Sequence, residues 1–160
     1  MQWSKPNRYG INIALATLAI AVEVYYSYCG GSCSYLKGSL FGIELQYIGI
    51  AYMLLIIILN IVKKDYPIAV LLAMGTAIEC YLVGFQIIHD TYCYYCIVFG
   101  VIIVIMLALN IRTIYLKSSV VLAIIALVVF SVFFKGTATL QFTAKLDPDK
   151  TILTKYMATI

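Results

Sequence analysis

Two pairs of cysteines form the strongest chemical signal in the sequence. Cys93 and Cys96 make a C-x-x-C motif, and Cys29 and Cys33 are separated by two glycines and a serine. On a helix, a spacing of three places both sulfurs on one face, where they can form a disulfide or share a proton. The glycines allow the other segment to fold tightly and to move. A mobile pair and a fixed pair together suit a relay of thiol–disulfide exchange.

Five long apolar stretches must position these cysteines. Of the 160 residues, 64% are hydrophobic and only 11% are charged, whereas about a quarter of a soluble domain is charged. Each stretch is about long enough to cross a bilayer as a helix. We predict an all-α membrane protein, with a transmembrane domain over residues 1–134 and an extracytoplasmic tail over 135–160. The predicted spans are about 9–28, 45–62, 67–88, 92–111 and 118–134.

The composition also excludes several classes of protein. It argues against disordered and fibrous chains, and five cysteines are too few for a small disulfide scaffold. The net charge of +4 comes from residues that form no cluster able to follow a phosphate backbone, which argues against nucleic-acid binding.

The basic residues predict how the chain is oriented in the membrane. Six of them lie in segments that successive spans place on the same side: Lys5, Arg8, Lys63, Lys64, Arg112 and Lys117. Because short cytoplasmic segments are rich in Lys and Arg, we place the N-terminus in the cytoplasm of a cell that carries the protein in its plasma or inner membrane. The paired cysteines and the C-terminal tail then lie outside, where thiols can be kept oxidised. Four lysines in the tail oppose this orientation, but they have less influence than the first loops.

The C-x-x-C motif opens the fourth predicted span. Asp90 or Thr91 can cap that helix, which leaves Cys93 in its first turn. There the free backbone N–H groups and the positive end of the helix dipole favour a thiolate. Cys96 lies one turn deeper, and Cys80, in the middle of the third span, is predicted to be a small buried hydrophobic residue.

The third span carries a stripe of polar residues, Glu79, Gln86, His89 and Asp90, that ends beside Cys93. Ionisable groups at membrane depth are costly against lipid, so the stripe should face the interior of the bundle. Glu79 or His89 can supply a route for protons. An equally weighted alternative is that Glu79 is neutral and hydrogen-bonded to a neighbouring helix.

The order of the cysteines resembles that of the vitamin K epoxide reductase family, in particular its prokaryotic members that generate disulfides. A loop pair follows the first span, and a C-x-x-C motif opens the fourth. Ser39, six residues after Cys33, and the segment 42–49 that leads into the second span are also similar to that family. The resemblance covers about residues 9–134. It implies a four-helix bundle around a quinone, with the fifth helix packed outside it.

The resemblance implies a role for each paired cysteine. Cys29 would form a mixed disulfide with an external thioredoxin-like protein, and Cys33 would exchange with Cys93. Cys96, the disulfide partner of Cys93, would meet the quinone, with Ser39 near the quinone head group.

The chain departs from the family at two positions. The loop cysteines are closer together than is usual, and Gly100 stands where the vertebrate enzymes carry a tyrosine near the substrate carbonyl. The second departure argues against vitamin K epoxide as the substrate.

We therefore expect a membrane quinone reductase that generates disulfides in a thioredoxin-like partner and reduces a quinone of the ubiquinone or menaquinone type. We expect no resident metal. One alternative is a carrier that binds a soft metal ion through its four outer cysteines. The chain has one histidine, His89, and its cytoplasmic segments offer basic residues rather than metal ligands. A second alternative is a membrane scaffold with structural disulfides.

Overall fold

The computed structural model describes residues 5–28, 36–89, 92–110 and 116–138. Within these ranges most residues lie in five helices: α1 (Lys5–Tyr28), α2 (Leu45–Ile61), α3 (Asp65–Ile88), α4 (Tyr94–Asn110) and α5 (Leu116–Phe133). Three short strands accompany them: β1 (Leu36–Leu40), β2 (Ile43–Glu44) and β3 (Phe134–Ala138). The prediction of a mainly helical chain is confirmed, and each predicted apolar stretch matches one helix to within four residues at either end.

Two of the helical segments, Arg8–Tyr28 and Asp65–Ile88, are long and apolar enough to cross a membrane. Three others are apolar but shorter: Leu45–Ile61, Tyr94–Asn110 and Lys117–Phe133. The structure therefore supports membrane association through two helices.

The core lies among the first four helices. α1 packs against α2 and α4, and α3 packs against α4 and, less extensively, against α2. The central buried side chains come from all four helices: Ala16, Ala19, Met53, Ile56, Ile68, Leu72, Phe99, Ile102, Ile103 and Met106. Close packing of these side chains excludes lipid and water from the centre of the bundle.

α5 packs chiefly against α3, outside this bundle. The contact is built from aromatic rings, with Tyr81 of α3 edge-on to Phe130 of α5 and to Phe134 of β3, at centroid distances of 5.7 and 5.8 Å. Phe85, one turn after Tyr81, meets the same Phe134 ring at 5.4 Å. Edge-to-face aromatic pairs of this kind are favourable beyond the area they bury.

A tight connection holds α2 and α3 side by side. Lys63 adopts a left-handed conformation, with φ of 58°, just after α2 ends. The backbone N–H groups of Lys63 and Lys64 donate to carbonyls in the last turn of α2, which satisfies acceptors that a helix end otherwise leaves free. Pro67 lies in the first turn of α3, where its missing N–H costs little.

Polar side chains join the helices at the end of the bundle that holds this connection. Asn12 donates from its amide to Asn60 Oδ1 at 2.8 Å and to Asn110 Oδ1 at 3.0 Å, so one asparagine from each of α1, α2 and α4 meets in the core. Nearby, Asp65 accepts hydrogen bonds from Arg8 and from the Tyr9 hydroxyl, both at 2.6 Å.

A small antiparallel sheet lies at the opposite end of the bundle. Its strand order is β2-β1-β3, and Ser39 in β1 pairs with Glu44 and with Lys135. The sheet thus joins the segment between α1 and α2 to the chain that follows α5. The apolar pattern alone did not predict it, because the fifth apolar stretch runs to Phe134 without a break.

Cys80 differs from its prediction. Its side chain is exposed on α3 rather than buried. A thiol is weakly polar and tolerates an apolar setting, so its residue type does not determine which face of the helix carries it.

Candidate active site

Cys93 and Cys96 lie side by side at the end of the bundle that carries the sheet. Both cysteines are free thiols, and the Cys96 thiol donates to the Cys93 sulfur at a distance of 2.6 Å. Cys93 is 7% exposed and Cys96 is half-buried. The pair can therefore pass between dithiol and disulfide with little movement of the backbone.

The start of α4 favours a thiolate at Cys93. α4 begins at Tyr94, so Cys93 occupies the capping position rather than the predicted first turn, and its carbonyl accepts the first helical hydrogen bond. The Cys93 sulfur accepts from the backbone N–H of Cys96 at 3.3 Å and from the Cys96 thiol. These donors and the helix dipole stabilise negative charge on that sulfur. The caps predicted at Asp90 and Thr91 fall outside the described residues.

Gln86 connects the end of α3 to this cysteine pair. Its side-chain Oε1 accepts a hydrogen bond from the backbone N–H of Cys93 at 2.8 Å. Gln86 is only 1% exposed. The sequence places it in the polar stripe of the third span, and the structure places it in contact with Cys93.

Two half-buried carboxyl groups face the same region. Glu79 of α3 and Glu23 of α1 interact electrostatically with each other and with Cys93. Each lies against a glycine of a neighbouring helix: a Cβ atom at Gly100 would be 3.2 Å from Glu79 Oε2, and one at Gly49 would be 3.7 Å from the Glu23 carboxyl. The absence of side chains at both glycines leaves room for the two carboxyl groups inside the bundle.

Glu23 was not among the predicted site residues. An ionisable residue within an apolar stretch is itself a signal of function, and this signal was available in the sequence. Tyr26, one turn further along α1, also interacts with Cys93 and Cys96. The distance between α1 and α4 is set by packing, so sequence alone did not show that these residues approach the C-x-x-C motif.

Tyrosines surround the outer end of α1 and the start of α4. Tyr95 lies between Tyr25 and Tyr26, with centroid distances of 5.7 and 6.0 Å. Tyr94 is 78% exposed and points away from the bundle. Tyr95 therefore packs beside the cysteine pair, whereas Tyr94 faces the surroundings.

The other predicted site residues lie elsewhere or outside the described chain. Cys29 and Cys33 fall in the segment 29–35, which the structure does not describe; that segment joins the end of α1 to the start of β1. Ser39 is half-buried in β1. His89 is exposed, and its ring packs against Phe85 at a centroid distance of 4.3 Å. Roles for Ser39 and His89 in quinone binding or proton transfer remain predictions.

A buried hydrogen-bond donor also lies beside the cysteine pair. Gln86 Nε2 has no hydrogen-bond partner among the described residues. It can donate to an acceptor such as a carbonyl oxygen. Across the described ranges, no three residues among His, Cys, Asp and Glu are grouped as metal ligands would be.

The chain matches no protein-family model and, at a significant level, no curated protein sequence. Its function must therefore be argued from the site.

Proposed function

We propose that this protein is a membrane thiol oxidoreductase that generates disulfides in an extracytoplasmic thioredoxin-like partner and passes the electrons to a membrane quinone. One observation carries the proposal: the adjacent sulfurs of Cys93 and Cys96 lie at the start of α4, with thiolate-stabilising donors on Cys93 and a free amide donor beside it. The cysteine order and its resemblance to the vitamin K epoxide reductase family point the same way.

In this proposal all five helices cross the membrane. The shorter apolar helices have 17 residues, about 25 Å of helix, so they span a bilayer core when flanking residues contribute. α1 to α4 surround the quinone site, and α5 lies outside them. The cytoplasmic end carries Arg8, Lys63 and Lys64, in agreement with the rule that basic residues stay inside.

Electrons pass through the cysteines in a fixed order. The cycle begins with Cys29 and Cys33 joined in a disulfide. A thiolate of the partner attacks Cys29, which forms a mixed disulfide and releases Cys33 as a thiolate. A second thiol of the partner then attacks the mixed disulfide, which releases the oxidised partner and leaves Cys29 reduced. The Cys33 thiolate attacks Cys93 and releases Cys96, and the Cys29 thiolate then attacks Cys33. This second exchange re-forms the Cys29–Cys33 disulfide and leaves Cys93 and Cys96 as a dithiol. The Cys93–Cys96 dithiol then returns to a disulfide, and its two electrons and two protons reduce one quinone to a hydroquinone.

The hydrogen bond from the Cys96 thiol to the Cys93 sulfur supports this division of labour. It makes Cys93 the better thiolate of the pair, and so the better leaving group when Cys29 resolves the Cys33–Cys93 mixed disulfide. Cys96 lies one turn along α4, within the bundle. The half-buried carboxyl groups of Glu79 and Glu23 can accept and return the protons that leave the thiols.

The test is quinone reduction by the purified protein supplied with a reduced thioredoxin-like protein. The reaction is followed by the absorbance of the quinone. The wild type should reduce the quinone, and Cys96→Ala should abolish the reaction. Cys80→Ala is the matched control, because it removes an exposed cysteine outside the relay. Full quinone reduction by Cys96→Ala, or none by the wild type with any quinone, would contradict the proposal.

A further inference from the structure

A buried hydrogen-bond donor without a partner lies beside the cysteine pair. Gln86 is 1% exposed, and its Nε2 atom has no hydrogen-bond partner in the part of the chain that the structure describes. Leaving such a group unpaired in a protein interior costs about 1–3 kcal/mol. A native protein tolerates this cost where a ligand supplies the missing acceptor.

The orientation of the amide is determined by its other contact. The backbone N–H of Cys93 donates to one side-chain atom of Gln86 at 2.8 Å. That atom must be the oxygen, since a flipped amide would place two donors face to face. Nε2 is therefore held next to the cysteine pair, with its hydrogens available for an acceptor.

We propose that Gln86 Nε2 donates a hydrogen bond to a carbonyl oxygen of the quinone and stabilises that oxygen as it gains negative charge. This inference rests on the proposed function and adds a substrate-binding residue to it. The hydrogen bond from the Cys93 N–H holds the Gln86 amide next to the dithiol, so a carbonyl bound by Gln86 also lies near the reacting sulfurs.

The chemistry gives this hydrogen bond a role in the reaction and not only in binding. Two S–H bonds break and one S–S bond forms, while two electrons and two protons move to the two quinone oxygens. Negative charge on the oxygen grows during electron transfer, and a hydrogen bond to a charged oxygen is stronger than one to a neutral carbonyl. A donor placed in advance therefore lowers the barrier more than it tightens binding.

Gln86→Met tests the proposal, because methionine keeps the length of the side chain and removes the amide. We expect kcat/KM for quinone to fall on the order of tenfold to a hundredfold, as for the loss of one hydrogen bond to a charged oxygen. Quinone should also raise the Tm of the wild type more than that of the variant. Thr76→Val is the matched control on α3, since the Thr76 hydroxyl bonds only to Leu72 of the same helix.

A second acceptor separates this role from positioning of Cys93. Glutathione disulfide oxidises a dithiol by exchange and presents no quinone carbonyl. In a Cys29→Ala/Cys33→Ala background, where it can oxidise only the Cys93–Cys96 dithiol of the two pairs, Gln86→Met should therefore react with it at the same rate as the background protein with Gln86. An equal loss of rate with quinone and with glutathione disulfide would show that Gln86 only positions the cysteines, and it would overturn the inference. Equal kcat/KM for quinone in the variant and the wild type would overturn it as well. A wild type that reduces no quinone would instead contradict the proposed function.

Discussion

The carboxyl group of Glu79 lies against Gly100, so closely that a Cβ atom at position 100 would be 3.2 Å from Glu79 Oε2. The carboxyl group of α3 thus occupies space beside α4 that a side chain at position 100 would otherwise fill.

Gly100→Ala should destabilise the protein and displace the Glu79 carboxyl. Overpacking of an interior typically costs about 1–3 kcal/mol, and here it opposes the gain of about 0.5–1 kcal/mol from replacing a helical glycine. Gly84→Ala is the matched control, because nothing lies within 4 Å of its added Cβ atom. Thermal unfolding in detergent should rank Gly100→Ala below the wild type and Gly84→Ala at or above it.

Removal of the Glu79 carboxyl should remove the effect of Gly100→Ala. In a Glu79→Ala background the crowding oxygen is absent, so Gly100→Ala should no longer destabilise the protein. The effects of the two substitutions on stability should therefore be strongly non-additive. Additive effects in the four-member cycle would show that the two positions do not press on each other.

Gly75 allows α2 and α3 to approach at Tyr52. A Cβ atom at Gly75 would be 2.5 Å from the Tyr52 hydroxyl oxygen, which donates a hydrogen bond to the Leu71 carbonyl at 2.8 Å. Gly75→Ala should therefore lower the free energy of unfolding by about 1–3 kcal/mol. In a Tyr52→Phe background the loss of stability should shrink, since the nearest atom has been removed while the ring carbon at 3.0 Å remains. Chemical denaturation of all four variants measures this, and an unchanged loss would show that the hydroxyl is not the atom that clashes.

The buried asparagines should contribute measurably to stability. Asn12→Ala leaves the side-chain oxygens of Asn60 and Asn110 without their donor, at a cost of about 1–3 kcal/mol. Ser131→Ala is the control, because that exposed hydroxyl bonds only to the Val128 carbonyl of its own helix. Reversible unfolding should place Asn12→Ala well below Ser131→Ala, and equal stabilities would show that the network adds nothing.

The ion pair between Arg8 and Asp65 should be visible as an interaction energy. Arg8 is 8% exposed, so Asp65→Ala leaves a largely buried charge unpaired, whereas removing both partners does not. We expect Asp65→Ala to be less stable than the double variant Arg8→Met/Asp65→Ala. The melting temperatures of the two variants test this prediction, and a double variant less stable than Asp65→Ala would contradict it.

The sequence alone determined where the helices lie and that Cys93 and Cys96 lie together at the start of one of them. Apolar stretches set helix length, and the predicted 45–62 and 92–111 correspond to α2 and α4 within two residues at either end. These properties are local, because they depend on the order of residue types along the chain.

The tertiary structure decided which side of each helix faces the interior. Apart from the polar stripe of α3, which predicted that Glu79 and Gln86 face inward, the helices are apolar on nearly all sides, so no amphipathic pattern specifies their rotation. Packing leaves His89, a member of that stripe, and Cys80 exposed, and it brings Glu23 within electrostatic range of Cys93. The pairing of β1 with β3 joins segments far apart in the chain, and such contacts depend on the packing of every helix between them.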